Sequence, residues 1–257
     1  RLSSSNPINF KNIPSRSELG KKVRELFIGD NLIVADMDQI ELRLLTHFSQ
    51  DANLIKVYKE GLDVHTQTAQ FIFNTKEPTR EQRFISKIVN FSLIYGAWSR
   101  TLASTINSSG LGIKVTEKET QMFIDRFNAF YPQIDSWKAV TIAKAKQGRG
   151  VTTLLGRFIP IKDLSSTHFR TLHSSERKVI SYLIQGSAAD IMKIAINLLY
   201  ERLPGIKIIG TVHDELLVDE GNQEVLQILK DVMEECVVLT VPLKVNVKIV
   251  NSWSEKG

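Results

Sequence analysis

The sequence contains very little cysteine, no long apolar run and no repeated or low-complexity segment. Cys236 is its single cysteine, which excludes an intrachain disulfide framework and a metal site built from several cysteines. No apolar run approaches the roughly 18 residues that suggest a membrane-spanning helix. The first residues, 1–7, lack the apolar core of a signal peptide. These absences predict an intracellular globular protein, or a piece of one.

Composition and charge are those of an ordinary globular protein with a basic balance. Of the 257 residues, 42% are hydrophobic and 24% are charged. This length is sufficient for a sizeable core, in one large domain or in two interleaved ones. The formal net charge is +5. A basic surface is compatible with a polyanionic partner but does not require one.

A first acidic feature follows a short apolar run near the amino terminus. Leu32 to Ala35 has the length and composition of a buried strand, and Asp36 follows it directly. Asp38 is predicted to be the N-cap of the next helix, with Glu41 completing a capping box. A carboxylate at a strand end can hold a hard cation such as magnesium. An ordinary exposed aspartate is the alternative at this point.

A second acidic feature lies between two short strands near the carboxyl terminus. Ile206 to Val212 and Leu216 to Val218 are predicted strands, closed by a tight turn at His213-Asp214. Taken alone, this is compatible with a common Asp-containing turn. Two strand-end carboxylates that are distant in sequence can nevertheless meet across a sheet and hold two divalent ions about 3.5–4 Å apart.

A third feature is a predicted helix over residues 79–96 that carries two cations and two aromatic rings. Arg83, Lys87, Phe91 and Tyr95 recur every four residues and form one stripe. Such a stripe suits a ligand with phosphates at one end and a flat ring at the other. A solvated basic face that continues into a packed aromatic pair would show the same spacing.

The wider pattern predicts an α+β fold. A small, mostly antiparallel sheet is expected from both ends of the chain, flanked by helices, because strand patterns occur near both termini. Residues between about 63 and 147 are almost purely helical in pattern and form an inserted subdomain.

In this order, the three features resemble motifs A, B and C of the bacterial DNA polymerase I family, the family A DNA polymerases. The matching stretches are Asp36–Arg43, Arg83–Gly96 and Val212–Glu215, and the likeness extends to Arg1–Pro7, Asn12–Arg16, Val64–Thr66 and Gln185–Asp190. It therefore covers nearly the whole chain. The resemblance implies a palm sheet in residues 1–62 and 181–257, with a helical fingers subdomain in residues 63–180.

The resemblance also implies a role for individual residues. Asp36 and Asp214 would bind two Mg²⁺ ions, or Mn²⁺, with Glu215 as a supporting acid and Lys87 as the proton donor to pyrophosphate. The implied nucleotide-binding residues are Gln39, Glu41, His65, Arg83, Lys87, Phe91 and Tyr95. Glu41 would exclude ribonucleotides by crowding the extra sugar hydroxyl. The implied DNA contacts are Arg16, Arg177, Gln185 and His213.

The implied activity is template-directed DNA synthesis by a DNA-directed DNA polymerase. A deoxynucleotidyl group would pass from a dNTP to a primer 3′-OH by a two-metal mechanism, with release of pyrophosphate. The partners would be primer-template DNA and dNTPs, with a thumb and an optional exonuclease domain upstream in the parent chain. The alternatives are a single-subunit RNA polymerase core, against which Glu41 argues, and a non-catalytic nucleic-acid-binding module.

The chain departs from the family pattern at several positions. Met37 and Asp38 replace Tyr-Ser, Phe84 replaces a second arginine, and Ser92 replaces a frequent glycine. None of these changes removes a predicted metal ligand. We therefore expect catalysis to be retained and its rate and accuracy to be affected.

Overall fold

The computed structural model describes residue 13 and residues 17–110, 112–219 and 221–256. Arg16, a predicted DNA contact, lies outside the described residues. The chain divides into two compact units. The first comprises residues 1–40 and 185–257, and the second comprises residues 41–184.

Helices predominate in the described residues. In chain order they are α1 (Glu18–Arg24), α2 (Ile40–Ser49), α3 (Ala52–Lys59), α4 (Val64–Phe73), α5 (Arg80–Ile94), α6 (Ser99–Asn107), α7 (Glu117–Phe130), α8 (Pro132–Gly148), α9 (Phe169–Arg202), α10 (Gln223–Glu235) and a 3₁₀ helix, Trp253–Lys256. The strands are β1 (Ile28–Met37), β2 (Gly150–Thr152), β3 (Phe158–Pro160), β4 (Lys207–Val212), β5 (Glu215–Asp219) and β6 (Val245–Ser252).

The first unit is built on a four-stranded sheet in the order β4-β5-β1-β6, and every pairing in it is antiparallel. One face carries a buried apolar cluster of Leu32, Val34, Leu217, Val250 and Trp253. Helix α10 packs against β1 and β6. The predicted α+β class, with a small antiparallel sheet assembled from distant parts of the chain, is confirmed.

The predicted N-cap at Asp38 is wrong. Helix α2 begins at Ile40, and Gln39 precedes it in the left-handed region with φ 52°. The backbone N–H of Asp38 donates to Lys244 O at 2.8 Å, just beyond the ends of the paired strands β1 and β6. The chain therefore turns from β1 into α2 at Gln39, one residue later than expected for a helix capped by Asp38.

The second unit is mainly helical, with α4 packed against α5 and α7. Helix α5 begins with a capping box, in which Gln82 N donates to Thr79 Oγ1 at 3.2 Å and Thr79 N donates to Gln82 Oε1 at 2.9 Å. It ends before Gly96, whose φ of 70° is accessible to glycine at little cost. These two ends confirm the helix predicted over residues 79–96.

Helix α9 continues without interruption through Gly186. Within the described residues it is the one helix that is long and apolar enough to cross a membrane by length and composition. However, 61% of its most apolar window is buried inside the protein. This burial is the pattern of a core helix.

Candidate active site

The predicted site residues are divided between the two units. Those described in the first unit are Asp36, Gln39, Gln185, His213, Asp214 and Glu215. Those in the second unit are Glu41, His65, Arg83, Lys87, Phe91, Tyr95 and Arg177. The structure therefore presents an acidic sheet end in one unit and a basic helix face in the other.

The pairing of β1 with β5 brings the two predicted metal ligands to the same end of the sheet. Asp36 is the register partner of Glu215, and Met37 N donates to Asp214 O at 3.0 Å. Asp36 is half-buried between the buried residues Ala35 and Met37, and Asp214 is half-buried as well. Asp36 near the end of β1 thus lies beside the turn residue Asp214, which directly precedes β5, although 178 positions in the sequence separate 36 from 214.

The turn between β4 and β5 consists of His213 and Asp214, as predicted. His213 has φ 58° and is exposed. Two-residue hairpin turns favour positive φ values because these match the twist of the flanking strands. Gln185 is half-buried in α9, within the same unit.

Glu215 is 3% exposed and is held by aromatic and cationic side chains. Trp253 Nε1 donates a hydrogen bond to Glu215 Oε1. The guanidinium carbon of Arg24 lies 4.0 Å from the centroid of the Trp253 ring. Burial lowers the pKa of Arg24, and the charge of Glu215 opposes that shift. The sequence contained no signal for this arrangement, in which one carboxylate oxygen of Glu215 is engaged by tryptophan.

The carboxylates of Asp36 and Asp214 form the candidate metal-binding site at this end of the sheet. No group of three or more His, Cys, Asp or Glu side chains that could hold a metal occurs among the described residues. Magnesium in nucleotide-processing sites is commonly held by one or two carboxylates together with substrate phosphates. The donor set of Asp36 and Asp214 fits that coordination.

In the second unit, Asp63 holds the guanidinium group of Arg83. Arg83 Nε donates to Asp63 Oδ1 at 3.0 Å, and Arg83 Nη2 donates to Asp63 Oδ2 at 2.8 Å. Asp63 is also the N-cap of α4, where it accepts from Thr66 N at 2.7 Å. Nothing in the sequence indicates the contact between Asp63 and Arg83, because 20 residues separate the two.

The hydrogen bonds keep Asp63 ionised. Burial alone would raise the pKa of its carboxyl group, but hydrogen bonds from Arg83 and Thr66, together with the charge of Arg83, lower the pKa to about 2. Because the pKa is depressed on folding, the stabilising contribution is present above the unfolded value and is lost as the pH falls towards 2. The ion pair is therefore intact at neutral pH.

His65 is buried and belongs to a chain of hydrogen bonds inside the second unit. Thr68 Oγ1 lies 3.0 Å from both Tyr131 Oη and Asn90 Oδ1, and Asn90 Nδ2 lies 2.8 Å from His65 Nδ1. Burial raises the pKa of Tyr131, so its hydroxyl stays protonated and can donate. Because the amide nitrogen Asn90 Nδ2 can only donate, His65 Nδ1 is the acceptor of this hydrogen bond.

The four residues of the α5 stripe differ in their exposure and contacts. Arg83 and Lys87 are exposed, whereas Phe91 and Tyr95 are half-buried. The rings of Phe91 and His65 lie 5.8 Å apart between centroids. Tyr95 Oη donates a hydrogen bond to the carboxylate of Glu41. Two residues with separate predicted roles are therefore in direct contact.

Arg177 is exposed on α9 and packs close to the end of α5. A Cβ atom added at Gly96 would lie 3.4 Å from Arg177 Cγ, so the aliphatic part of the arginine passes over this glycine. Ser92, one of the departures from the family pattern, is half-buried in the same region. Met37, another departure, is fully buried in β1, where an apolar side chain fits the core.

Sequence comparison matches residues 1–255 to DNA polymerase family A. DNA polymerase I of Caldicellulosiruptor bescii is 40% identical over 267 residues, covering 99% of this chain and 30% of the relative. DNA polymerase I of Geobacillus stearothermophilus is 38% identical over 98% of this chain and 30% of the relative. The thermostable DNA polymerase I of Thermus aquaticus is 36% identical over 98% of this chain and 31% of the relative. The chain thus spans about 30% of the length of these proteins.

A solved structure gives the same match in three dimensions. The POL domain of Pol1 from M. smegmatis, in complex with DNA primer-template and dNTP, superposes with a TM-score of 0.88 and 31% sequence identity. The match covers 99% of this chain and 46% of that one.

Proposed function

Because this chain belongs to DNA polymerase family A, we propose that it forms the palm and fingers of a template-directed DNA polymerase. It would transfer a deoxynucleotidyl group from a dNTP to a primer 3′-OH and release pyrophosphate. The observation that carries this proposal is the meeting of Asp36 and Asp214 at one end of the antiparallel sheet. The POL domain that superposes on the chain is a complex with primer-template and dNTP, which supports the same partners.

The proposed division places the palm in residues 1–62 and 181–257 and the fingers in residues 63–180. The two compact units support a division of this kind, since one carries the acidic sheet and the other carries α5. The relatives are about three times as long as this chain, which supports a thumb and an optional exonuclease domain elsewhere in the natural protein. An intracellular location stays a prediction.

Asp36 and Asp214 would hold two Mg²⁺ ions, or Mn²⁺, because their hard oxygen donors suit these cations. When bound, the ions would favour deprotonation of the primer hydroxyl and neutralise charge on the leaving oxygen. Glu215 is fixed by Trp253 and would contribute negative charge beside the aspartates. Its role would be to support the primer end. Gln185 and His213, in the same unit, would contact the DNA.

The second unit would bind the triphosphate. In the described part of the chain, Asp63 engages Nε and Nη2 of Arg83, so the Nη1 donors can meet a phosphate. Lys87 follows one turn later on the same face, and His65, whose ring centroid lies 5.8 Å from that of Phe91, would assist in binding the nucleotide. Phe91 would pack on the incoming nucleotide, and Tyr95 would guard the templating position. Gln39 would also contact the nucleotide.

Primer extension by the natural full-length protein tests this function. We expect extension only when the dNTP complementary to the next template base is supplied. Binding of primer-template without extension, at any divalent ion concentration, would instead favour a non-catalytic nucleic-acid-binding module. Extension with NTPs as efficient as extension with dNTPs would favour the RNA polymerase alternative.

Replacing Asp63 with Asn should raise the KM for dNTP about two- to five-fold, the range expected for an ion pair that is partly exposed. The charge that orients Arg83 is lost, whereas Asn keeps the helix cap on Thr66 N. Steady-state kinetics and thermal melting of the same preparation measure the two effects. Asp63→Ala is the matched variant, and it should raise KM and also lower the melting temperature because the cap is removed. A fall in KM for Asp63→Asn would mean that Asp63 competes with the triphosphate.

Replacing Glu41 with Ala should weaken discrimination against ribonucleotides by roughly 10- to 100-fold, the scale on which steric fit separates similar substrates. The side chain that crowds the extra hydroxyl is then removed. The ratio of kcat/KM for matched dNTP and NTP substrates measures the effect. Glu41→Gln is the control, because it keeps the size of the side chain and an acceptor for Tyr95. Equal discrimination in the wild type and Glu41→Ala would assign sugar selection to another residue.

A further inference from the structure

Lys138 of α8 is a largely buried cation that the assigned roles do not use. Only 16% of its side chain is exposed, although lysine is seldom buried unless it is paired. Its Nζ donates to Leu93 O, in the last turn of α5, at 2.7 Å. Asp135, one turn earlier on α8, lies 3.5 Å from the same Nζ and is 53% exposed. The shorter contact of the ammonium group is therefore with a backbone carbonyl of another helix.

Leu93 O belongs to the turn that ends α5. It also accepts from Gly96 N at 3.1 Å, and Ala97 N donates to Ser92 O at 3.0 Å. With the left-handed backbone of Gly96, these two bonds make a Schellman motif. Cations are favourable at a helix C-terminus, where the carbonyl oxygens carry partial negative charge. Lys138 therefore stabilises this turn by supplying a second donor to one of its carbonyls.

Helix α8 is itself tied to α2 and α3. In its first turn, Gln133 N donates at 3.1 Å to Oδ2 of Asp51, the fully buried N-cap of α3. Further along, the ring of Trp137 stacks on Phe48 of α2, with centroids 6.1 Å apart and planes 8° from parallel. Helix α8 therefore contacts α2 directly and, through Lys138, reaches the end of α5.

The two helices that α8 joins carry a pair of residues that contact each other. Tyr95 directly follows α5, and its hydroxyl donates to the carboxylate of Glu41 in the first turn of α2. Tyr95 is also only two residues beyond Leu93. A displacement of the turn at the end of α5 would therefore move the Tyr95 ring away from its partner on α2.

We propose that Lys138 is a positioning residue for nucleotide selection, because its bond to Leu93 O holds the end of α5 where Tyr95 meets Glu41. This inference rests on the proposed function, which gives Tyr95 and Glu41 their roles. The ammonium group of Lys138 is directed to a backbone carbonyl inside the unit, so Lys138 acts through Tyr95 and not on the nucleotide. Its loss should therefore change the choice between nucleotides more than the rate with the correct one.

The direct test is single-nucleotide incorporation by the natural full-length protein with matched and mismatched dNTPs. Lys138→Met keeps an unbranched apolar side chain but removes the donor and the charge. It should lower the ratio of kcat/KM for matched over mismatched dNTP about two- to ten-fold, the range that one hydrogen bond contributes to an equilibrium. The kcat with the matched dNTP should stay close to the wild-type value. Lys138→Arg retains a donor and should restore the ratio. Lys144→Met, at an exposed position of the same helix, is the matched control and should leave the ratio unchanged.

Hydrogen exchange of the same preparations measures the anchor without reference to activity. Lys138→Met should speed exchange of the amides of residues 95–97, whereas the capped start of α5 should exchange as in the wild type. Lys138→Gln, which is one bond shorter than lysine and stays polar, is a second variant with the same expected result.

The outcomes separate this inference from the proposed function. If the wild type extends primers and both variants select nucleotides like the wild type, the role of Lys138 alone is wrong. Faster exchange with an unchanged selection ratio would make Lys138 a merely structural residue, which also overturns the proposal. If the wild type extends no primer, the proposed function is wrong and the selection role falls with it, whereas the exchange rates still decide whether Lys138 anchors α5.

Discussion

Replacing Asp214 with Asn should reduce the rate of primer extension by about three to five orders of magnitude, because a metal ion contributes several kcal/mol to stabilising developing charge. Asp214 lies in the turn between β4 and β5, and its backbone oxygen accepts from the backbone N–H of Met37, the last residue of β1. Asn keeps the size of the side chain and its ability to occupy the turn. The loss should therefore appear in the single-turnover rate, while the affinity for primer-template at fixed salt stays near the wild-type value.

The double variant Asp36→Asn/Asp214→Asn makes this test sharper. Residues that act as one unit are strongly non-additive, so the double variant should be little slower than either single variant. Asp231→Asn in α10, within the same unit, is the control and should extend primers normally. Full activity in Asp214→Asn would contradict the assignment of the metal ligands. Additive losses would mean that the two carboxylates serve separate steps.

Replacing Lys87 with Ala should lower kcat by about 10²- to 10⁴-fold, the usual contribution of a positioned general acid. Lys87 is exposed on α5, one turn after Arg83 and one turn before Phe91. This position would bring its ammonium group to the phosphates and allow it to protonate the departing pyrophosphate. Pre-steady-state measurement of single-nucleotide incorporation gives the rate and the apparent dNTP affinity separately.

Lys87→Arg distinguishes charge from proton donation. Arginine keeps the positive charge but does not release its proton in proteins, so the dNTP affinity should recover while kcat stays low. Lys118→Ala, at an exposed position of α7, is the control for loss of a surface lysine. Recovery of kcat in Lys87→Arg would show that Lys87 acts by charge alone.

The elements that hold the proposed site could be predicted from local sequence. The apolar run ending at Asp36 and the two strands around His213-Asp214 have a period and length that fix them as strands. Helix α5 could be predicted because its i, i+4 pattern begins directly after a capping box and ends before a glycine. Once these elements pair, the strand register places Asp36 opposite Glu215 and therefore next to the turn that contains Asp214.

Contacts between distant residues could not be predicted in the same way. The Asp63 carboxylate, the buried chain from Tyr131 to His65, and the bond from Trp253 to Glu215 each depend on packing between separate elements. Periodicity carries no information about such pairings. The start of α2 was misplaced for a related reason, since the bond from Asp38 N to Lys244 O joins segments that are distant in the sequence.

The hydrogen bond between Tyr95 and Glu41 has a consequence for how such an enzyme can be altered. A substitution at Glu41, the proposed sugar-selecting residue, also removes the hydrogen-bond partner of Tyr95, whose ring is proposed to guard the templating position. Accuracy of base choice would then change together with sugar choice. Libraries of variants intended to accept modified sugars should therefore vary positions 41 and 95 together. If only one position is varied, the other keeps a side chain that suits the original partner.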